Sequence, residues 1–216
     1  YQLKHFKPIA RLSADPTVLV VRADAPWKNF ADFLLDLRSK PAQYSYGSSG
    51  HYSTLHVPME MLKKQAKFNM LHVPYTGAGP ALVGLLAGHI DAMSTGPVTV
   101  LQQIKSGKLR ALAHWGEGRL AALPDVPSLK ELGYPVTFAQ WSGLFVHAAT
   151  PPAITARLRM AAQRAANDPK VQHSMNLAGS PIQYLDAPAF QTYWEADAAK
   201  MAATVKTKYA PPALQG

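Results

Sequence analysis

The apolar positions of this chain fall into short groups at two alternating periods. Thr17 to Val21 is a continuous apolar, β-branched run, the pattern of a strand buried on both faces and typical of a parallel sheet. Asn29 then precedes Phe30, Phe33, Leu34 and Leu37 at the i, i+3, i+4, i+7 spacing of an amphipathic helix, with Asn29 as N-cap and Pro41 beyond its end. A second strand is expected at Tyr44–Tyr46, then a loop over 47–53 and a helix carrying Leu55, Met59 and Leu62 on one face. Ser53 is placed to cap that helix, and Pro58 to distort its first two turns.

The same punctuation recurs downstream. A strand at Met70–Val73 leads through a loop over 74–79 to a helix with Pro80 at its first position, Leu82, Leu85 and Leu86 inside, and Gly88 as terminator. Strands at Ile90–Met93 and Leu109–His114 flank a helix opened by Pro97 and closed by Gly107. Alternation of this kind specifies an α/β fold, a mostly parallel sheet covered by helices on both faces. A proline-punctuated connector over 120–127 marks a junction, and Ser128 with Glu131 has the spacing of a capping box for a short helix. An extended stretch over 136–146 follows, then helices beginning near Pro151, Pro169 and Pro188, with Thr150 and Asp186 as caps for two of them. Residues 210–216 read as a disordered tail.

Composition narrows the chemistry. The 216 residues include no cysteine, which excludes disulfides, cysteine-ligated zinc and cysteine nucleophiles. No apolar run approaches the roughly 20 residues of a membrane-spanning helix. The net charge of +9 comes from 22 basic and 13 acidic residues spread along the chain, 15 and 9 before residue 141 and 7 and 4 after it. Without a polybasic segment this favours small anions over nucleic acid. Lys63, Lys64 and Lys67 read as a solvated helix end.

Two strand-to-helix loops concentrate glycine and hydroxyl residues. In the first, Ser48, Ser49 and Ser53 offer hydroxyls and Gly50 a close approach to the main chain; in the second, Tyr75 and Thr76 do so beside Gly77 and Gly79. Such loops at helix N-termini, beyond the carboxyl ends of parallel strands, suit a carboxylate or phosphate. The alternative is that they are turn and cap residues only. No spacing assembles a Ser-His-Asp triad, a nucleotide fingerprint or a histidine pair for metal, so no cofactor and no metal are expected. His72 reads as a core residue, Asp91 and Asp125 as carboxylates bonded to nearby backbone, Met59, Met61, Met70 and Met93 as core filler, and Trp141 and Tyr134 as packing where the chain leaves one lobe.

The run from Leu71 to Leu82 (LHVPYTGAGPAL), followed by Gly88 to Asp91 (GHID), resembles the characteristic block of the Bug, or TctC-like, receptors of tripartite tricarboxylate transporters. Further matches follow in order at 8–12, 44–50, 107–112, 123–127, 141–145 and 150–153. The resemblance implies a type II periplasmic-binding-protein fold whose second ligand-binding lobe is residues 13–135, with a partial first lobe and hinge region in 1–12 and 136–209. It implies an exported, non-enzymatic periplasmic receptor that closes around a small carboxylate-bearing solute and presents it to membrane transporter subunits. The matching ligand loops hold Ser48, Ser49, Gly50, His51, Tyr52, Ser53, Tyr75, Thr76 and Gly77. After the strand that holds Asp91, where many members of the family carry an Asp-Asn pair, this chain has Ser94, Thr95 and Gly96, and Thr95 and Gly96 join the ligand-loop candidates. The family's N-terminal portion, with the loop that supplies the opposing half of the clamp, has no counterpart here, so the first lobe is expected to be incomplete unless another chain supplies that portion. Two rivals share parts of the pattern: a ligand-sensing domain of a transcriptional regulator, and an enzyme using Ser48 or Ser49.

Overall fold

The computed structural model describes residues 2–209, so the tail expected over 210–216 lies outside the described residues. In chain order the elements are β1 (Phe6–Pro16), β2 (Val18–Arg22), α1 (Phe30–Ser39), β3 (Ser45–Ser48), α2 (Val57–Ala66), β4 (Leu71–Pro74), α3 (Ala78–Leu86), β5 (Ala92–Thr95), α4 (Pro97–Lys105), β6 (Leu109–His114), β7 (Ala139–His147), α5 (Pro152–Asn167), α6 (Pro169–Leu177), β8 (Leu185–Asp186) and α7 (Ala187–Tyr209). They form two compact units, one made by Asp15–Gln140 and the other by the chain on either side of it. The boundaries fall a few residues beyond the 13 and 135 expected from the resemblance.

The Asp15–Gln140 unit is built on a five-stranded sheet in the order β4-β3-β5-β2-β6. β3 runs parallel to β4 and to β5, whereas β2 runs antiparallel to both β5 and β6. The sheet is therefore mixed, and β2 with α1 does not open a βαβ crossover. The continuous run Val18–Val21 reports burial on both faces, which a reversed central strand needs as much as a parallel one. On one face Val18, Val20 and Met93 pack against Ala81 and Leu85 of α3 and Val100 and Leu101 of α4. Elsewhere in this unit Phe33 of α1 meets Trp27 and Phe68 edge to face, with ring centroids 5.1 and 6.1 Å apart.

Several helix signals hold as read and others move. Asn29 caps α1 by accepting the Asp32 N–H at 2.9 Å. Gly88, at φ +77, takes the left-handed position after α3, which a side chain would strain, and Gly107, at φ +71, does the same after α4. β5 forms at 92–95, two residues later than expected, because its pairing with β2 sets its limits. α2 begins at Val57 rather than after Ser53, so Pro58 sits in the first turn, where no intrahelical bond is lost and no distortion arises. The Ser128–Glu131 capping box makes both reciprocal bonds, at 2.7 and 3.1 Å, yet encloses a single turn that Gly133 ends at φ +87. Thr150 does not cap α5, whose N-cap is Pro151, while Asp168 caps α6 through the Lys170 N–H.

The other unit holds a three-stranded sheet in the order β7-β1-β8. Its eleven-residue β1 is not legible in the sequence, since Lys7, Pro8 and Arg11 interrupt the apolar pattern there. Trp141 packs on Phe190 at 5.4 Å and donates to Asp197 at 2.9 Å, and Phe145 packs on Phe190 and Trp194. Trp141 is thus a packing residue of this unit. Tyr134, in the first unit, likewise packs on Phe30 at 5.5 Å.

Two predictions follow from this packing. A Cβ on Gly84 would lie 2.3 Å from the Tyr75 hydroxyl and 2.7 Å from its ring, so Gly84→Ala should lower stability by about 1–3 kcal/mol in denaturant titration. Asp36 accepts from Tyr44 at 2.7 Å and Trp27 at 2.9 Å and pairs with Lys40, and these partners, Tyr44 first, hold its carboxyl down at about 2. Because the folded value lies below the ordinary 3.8, the gain is complete above about pH 4 and is lost as pH falls towards 2. With the carboxylate partly in solvent it amounts to roughly 1 kcal/mol; Asp36→Asn should remove it at neutral pH and flatten the acid limb of the stability curve.

Candidate functional site

Parallel pairing sets the carboxyl ends of β4, β3 and β5 side by side, and each end feeds a turn or helix start. The Tyr75 N–H donates to the Ser48 carbonyl at 2.9 Å, joining the loops after β3 and β4. Ser94 Oγ donates to the Leu55 carbonyl at 2.7 Å, and the Gln140 side chain donates to Thr54 Oγ1 at 2.7 Å while its amide oxygen lies against Gly96. The loops holding Ser48–Ser53, Tyr75–Gly77 and Thr95–Gly96 are therefore neighbours in one unit. Gly47 admits this approach: a Cβ there would meet Ile90 at 2.3 Å and the Tyr75 ring at 3.4 Å.

What these loops present is mainly backbone. Among the described residues, the N–H groups of Ser49, His51, Thr76, Gly77, Ala78, Gly79 and Gly96 have no hydrogen-bond partner in the chain. Neither α3 nor α4 has an acidic residue in its first turn, and the loops themselves contain none. Open N–H groups at the positive ends of two helices favour a negatively charged oxygen. The hydroxyls of Ser53 and Thr95 are buried without a hydrogen-bond partner in the chain, a costly state that a bound polar group would relieve.

The hydroxyls divide by role. Ser48 is fully buried; its Oγ lies 2.7 Å from His72 Nε2, accepts the Gly50 N–H at 3.1 Å and donates to the Gly50 carbonyl at 3.0 Å. It braces the loop. The Tyr75 hydroxyl lies against Gly84 of α3 and its ring packs on the core. Ser49 is half-buried, and Thr76, His51 and Tyr52 are exposed at the loop tips. Tyr52 holds a left-handed φ of +60, uncommon for a bulky residue, and its N–H donates to His56 Nδ1 at 3.0 Å.

Behind the first loop lies a polar cluster that sequence spacing did not reveal. His72 stacks on His56 at 4.0 Å and on Tyr46 at 5.1 Å, with His51 edge-on at 5.0 Å. The Tyr46 hydroxyl donates to buried Glu60, which also takes Lys63 Nζ at 2.8 Å. Lys63 is thus turned inward, against the reading of 63–67 as a solvated end, and burial lowers its pKa. The Glu60–Lys63 spacing of three was the only local signal. Burial, aided by the nearby charges of His51 and Lys63, lowers His72 to about 4, so it is neutral near pH 7. Among the described residues no three His, Asp or Glu side chains converge as metal ligands. Asp91 accepts the N–H and hydroxyl of Ser45 at 2.8 and 3.1 Å, at the end of β3 away from these loops.

Residues 1–208 match the family described as "Tripartite tricarboxylate transporter family receptor". The chain is 31% identical to the UPF0065 protein in gbd 5'region of Cupriavidus necator, over 88% of its own length and 58% of that protein. It therefore spans little more than half of that curated relative. A TctC solute binding protein from Polaromonas superposes with a TM-score of 0.79 at 31% identity, covering 94% of this chain and 70% of the other. MatC from Rhodopseudomonas palustris, with bound malate, superposes with a TM-score of 0.77 at 29% identity, covering 84% and 63%. These relatives carry the matched and unmatched parts in one chain, which gives no support to a second chain supplying the remainder. The fold is that of the TctC and Bug periplasmic binding proteins, and the chain belongs to the tripartite tricarboxylate transporter receptor family.

Proposed function

We propose that the chain is part of a periplasmic receptor that captures a small carboxylate-bearing solute and delivers it to the membrane subunits of a tripartite tricarboxylate-type transporter, without chemical change. The observation that carries this reading is the set of open main-chain N–H groups at three adjoining strand ends, with no acidic side chain among them. Such a set holds a carboxylate by charge-assisted hydrogen bonds in a fixed geometry. The malate bound to MatC supports the same ligand class. The buried hydroxyls of Ser53 and Thr95 suit further polar groups on the solute.

A hydrolytic role is disfavoured by the same geometry. Ser48 has a histidine partner, but its hydroxyl is fully buried and already bonded to both the carbonyl and the N–H of Gly50. Among the described residues no carboxylate bonds to His72 in the way a triad requires; its contacts there are aromatic rings and Ser48.

Titration calorimetry of the protein with malate, adipate and benzoate should give saturable one-to-one binding by at least one of them; a flat response to all three would overturn the receptor reading. A sharper test is Ala78→Pro. Ala78 is the first residue of α3 and follows an extended Gly77, at ψ 173, so proline fits the backbone there while removing one open N–H. Affinity should fall about 10- to 100-fold, the worth of a hydrogen bond to a charged group, with an unchanged melting temperature.

A further inference from the structure

We propose that His72 is a positioning residue of this site, acting through Ser48 to fix the Gly50 peptide and so to aim the Ser49 and His51 N–H groups at the ligand. The inference rests on the receptor reading for its ligand and on geometry for its mechanism. Ser48 Oγ has one hydrogen and three neighbours: the Gly50 carbonyl at 3.0 Å, the Gly50 N–H at 3.1 Å and His72 Nε2 at 2.7 Å. All three contacts are satisfied together when neutral His72 donates from Nε2, the Gly50 N–H also donates to the hydroxyl, and the hydroxyl donates to the Gly50 carbonyl. The Gly50 carbonyl also accepts the Ser53 N–H at 3.3 Å, so the clasp closes the whole turn from 48 to 53. Gly50 itself holds φ +119, open to glycine, and a turn of that kind needs a side-chain brace to stay in one conformation.

His72 is itself held from several sides. Tyr46 of β3 and His56 ahead of α2 stack on its ring, His51 of the loop meets it edge-on, and Glu60 and Lys63 of α2 lie behind Tyr46. A proton on His72 would be opposed by burial and by His51 and Lys63, which is why it titrates only near 4. The folded value is below the ordinary 6.5, so the unfolded chain binds this proton more readily and folding stability falls as pH drops from 6.5 towards 4, while the clasp itself keeps a neutral His72 down to near 4.

The test reads the loop with and without ligand. Amide hydrogen exchange at Gly50, measured by NMR on the protein with no ligand added, should quicken roughly tenfold in His72→Phe, as expected for loss of a brace worth one hydrogen bond. His72→Gln, whose side-chain amide can still donate to Ser48, should restore it. Ser48→Ala should quicken exchange to the same extent, and Ser48→Ala combined with His72→Phe should go no further than either change alone, because both act through one contact. With malate as probe, His72→Phe should weaken binding by a similar factor, and the loss of folding stability between pH 6.5 and 4, read as melting temperature, should be shallower in His72→Gln than in the parent. Unchanged Gly50 exchange in His72→Phe, or additive effects of Ser48→Ala and His72→Phe, would overturn the positioning role. If the Gly50 effects appear while neither parent nor variant binds malate, adipate or benzoate, the clasp stands and the receptor reading fails.

Discussion

The parallel pairing of β3 with both β4 and β5 is the constraint on which the site depends. A parallel neighbour must return to the same edge of the sheet, so three strand ends and the segments that follow them collect at one place. The main-chain bond from Tyr75 to Ser48 fastens two of those ends at 2.9 Å. With the strands in register, a turn and two helix starts with unpaired N–H groups are brought into neighbouring positions, which none of these segments could achieve alone.

Close approach at that edge requires missing side chains. Gly47 and Gly84 leave the space taken by Ile90 and the Tyr75 ring, and Gly96 leaves space for the Gln140 amide. These glycines serve packing, whereas Gly50, Gly88 and Gly107 serve backbone conformation through positive φ. The loops are thus shaped by absence of bulk on one side and by side-chain braces on the other. Ser48, Gln140 and His56 bond to loop atoms and leave the outward N–H groups open.

A buried polar cluster directly beneath a loop is costly unless its members satisfy each other. Here Tyr46 and Lys63 converge on Glu60, and the stacked imidazoles of His56 and His72 stay uncrowded by charge only while His72 is neutral. The cluster ties α2 to β3 and β4, so it stiffens the support behind the loop as well as the loop itself. Thr95 and Gly96 leave this third strand end without an ionised group.

The sequence by itself determined the order of elements from β2 to β6, the helix start at Asn29, the stops at Gly88 and Gly107, the glycine and hydroxyl character of both loops, and the family through the LHVPYTGAGPAL run. These features are written in residues within a turn of one another, where capping, backbone freedom and period act locally. Only the tertiary structure decided the reversed direction of β2, the late start of α2 after Ser53, the short turn in place of a helix at Ser128, and the strand hidden in Phe6–Pro16. It alone brought His72 to Ser48, turned Lys63 inward to Glu60 and set Gln140 beside Gly96. Each of these joins residues on separate elements or depends on which neighbour a strand finds, and such pairings are fixed by sheet order and burial, which local periodicity does not encode.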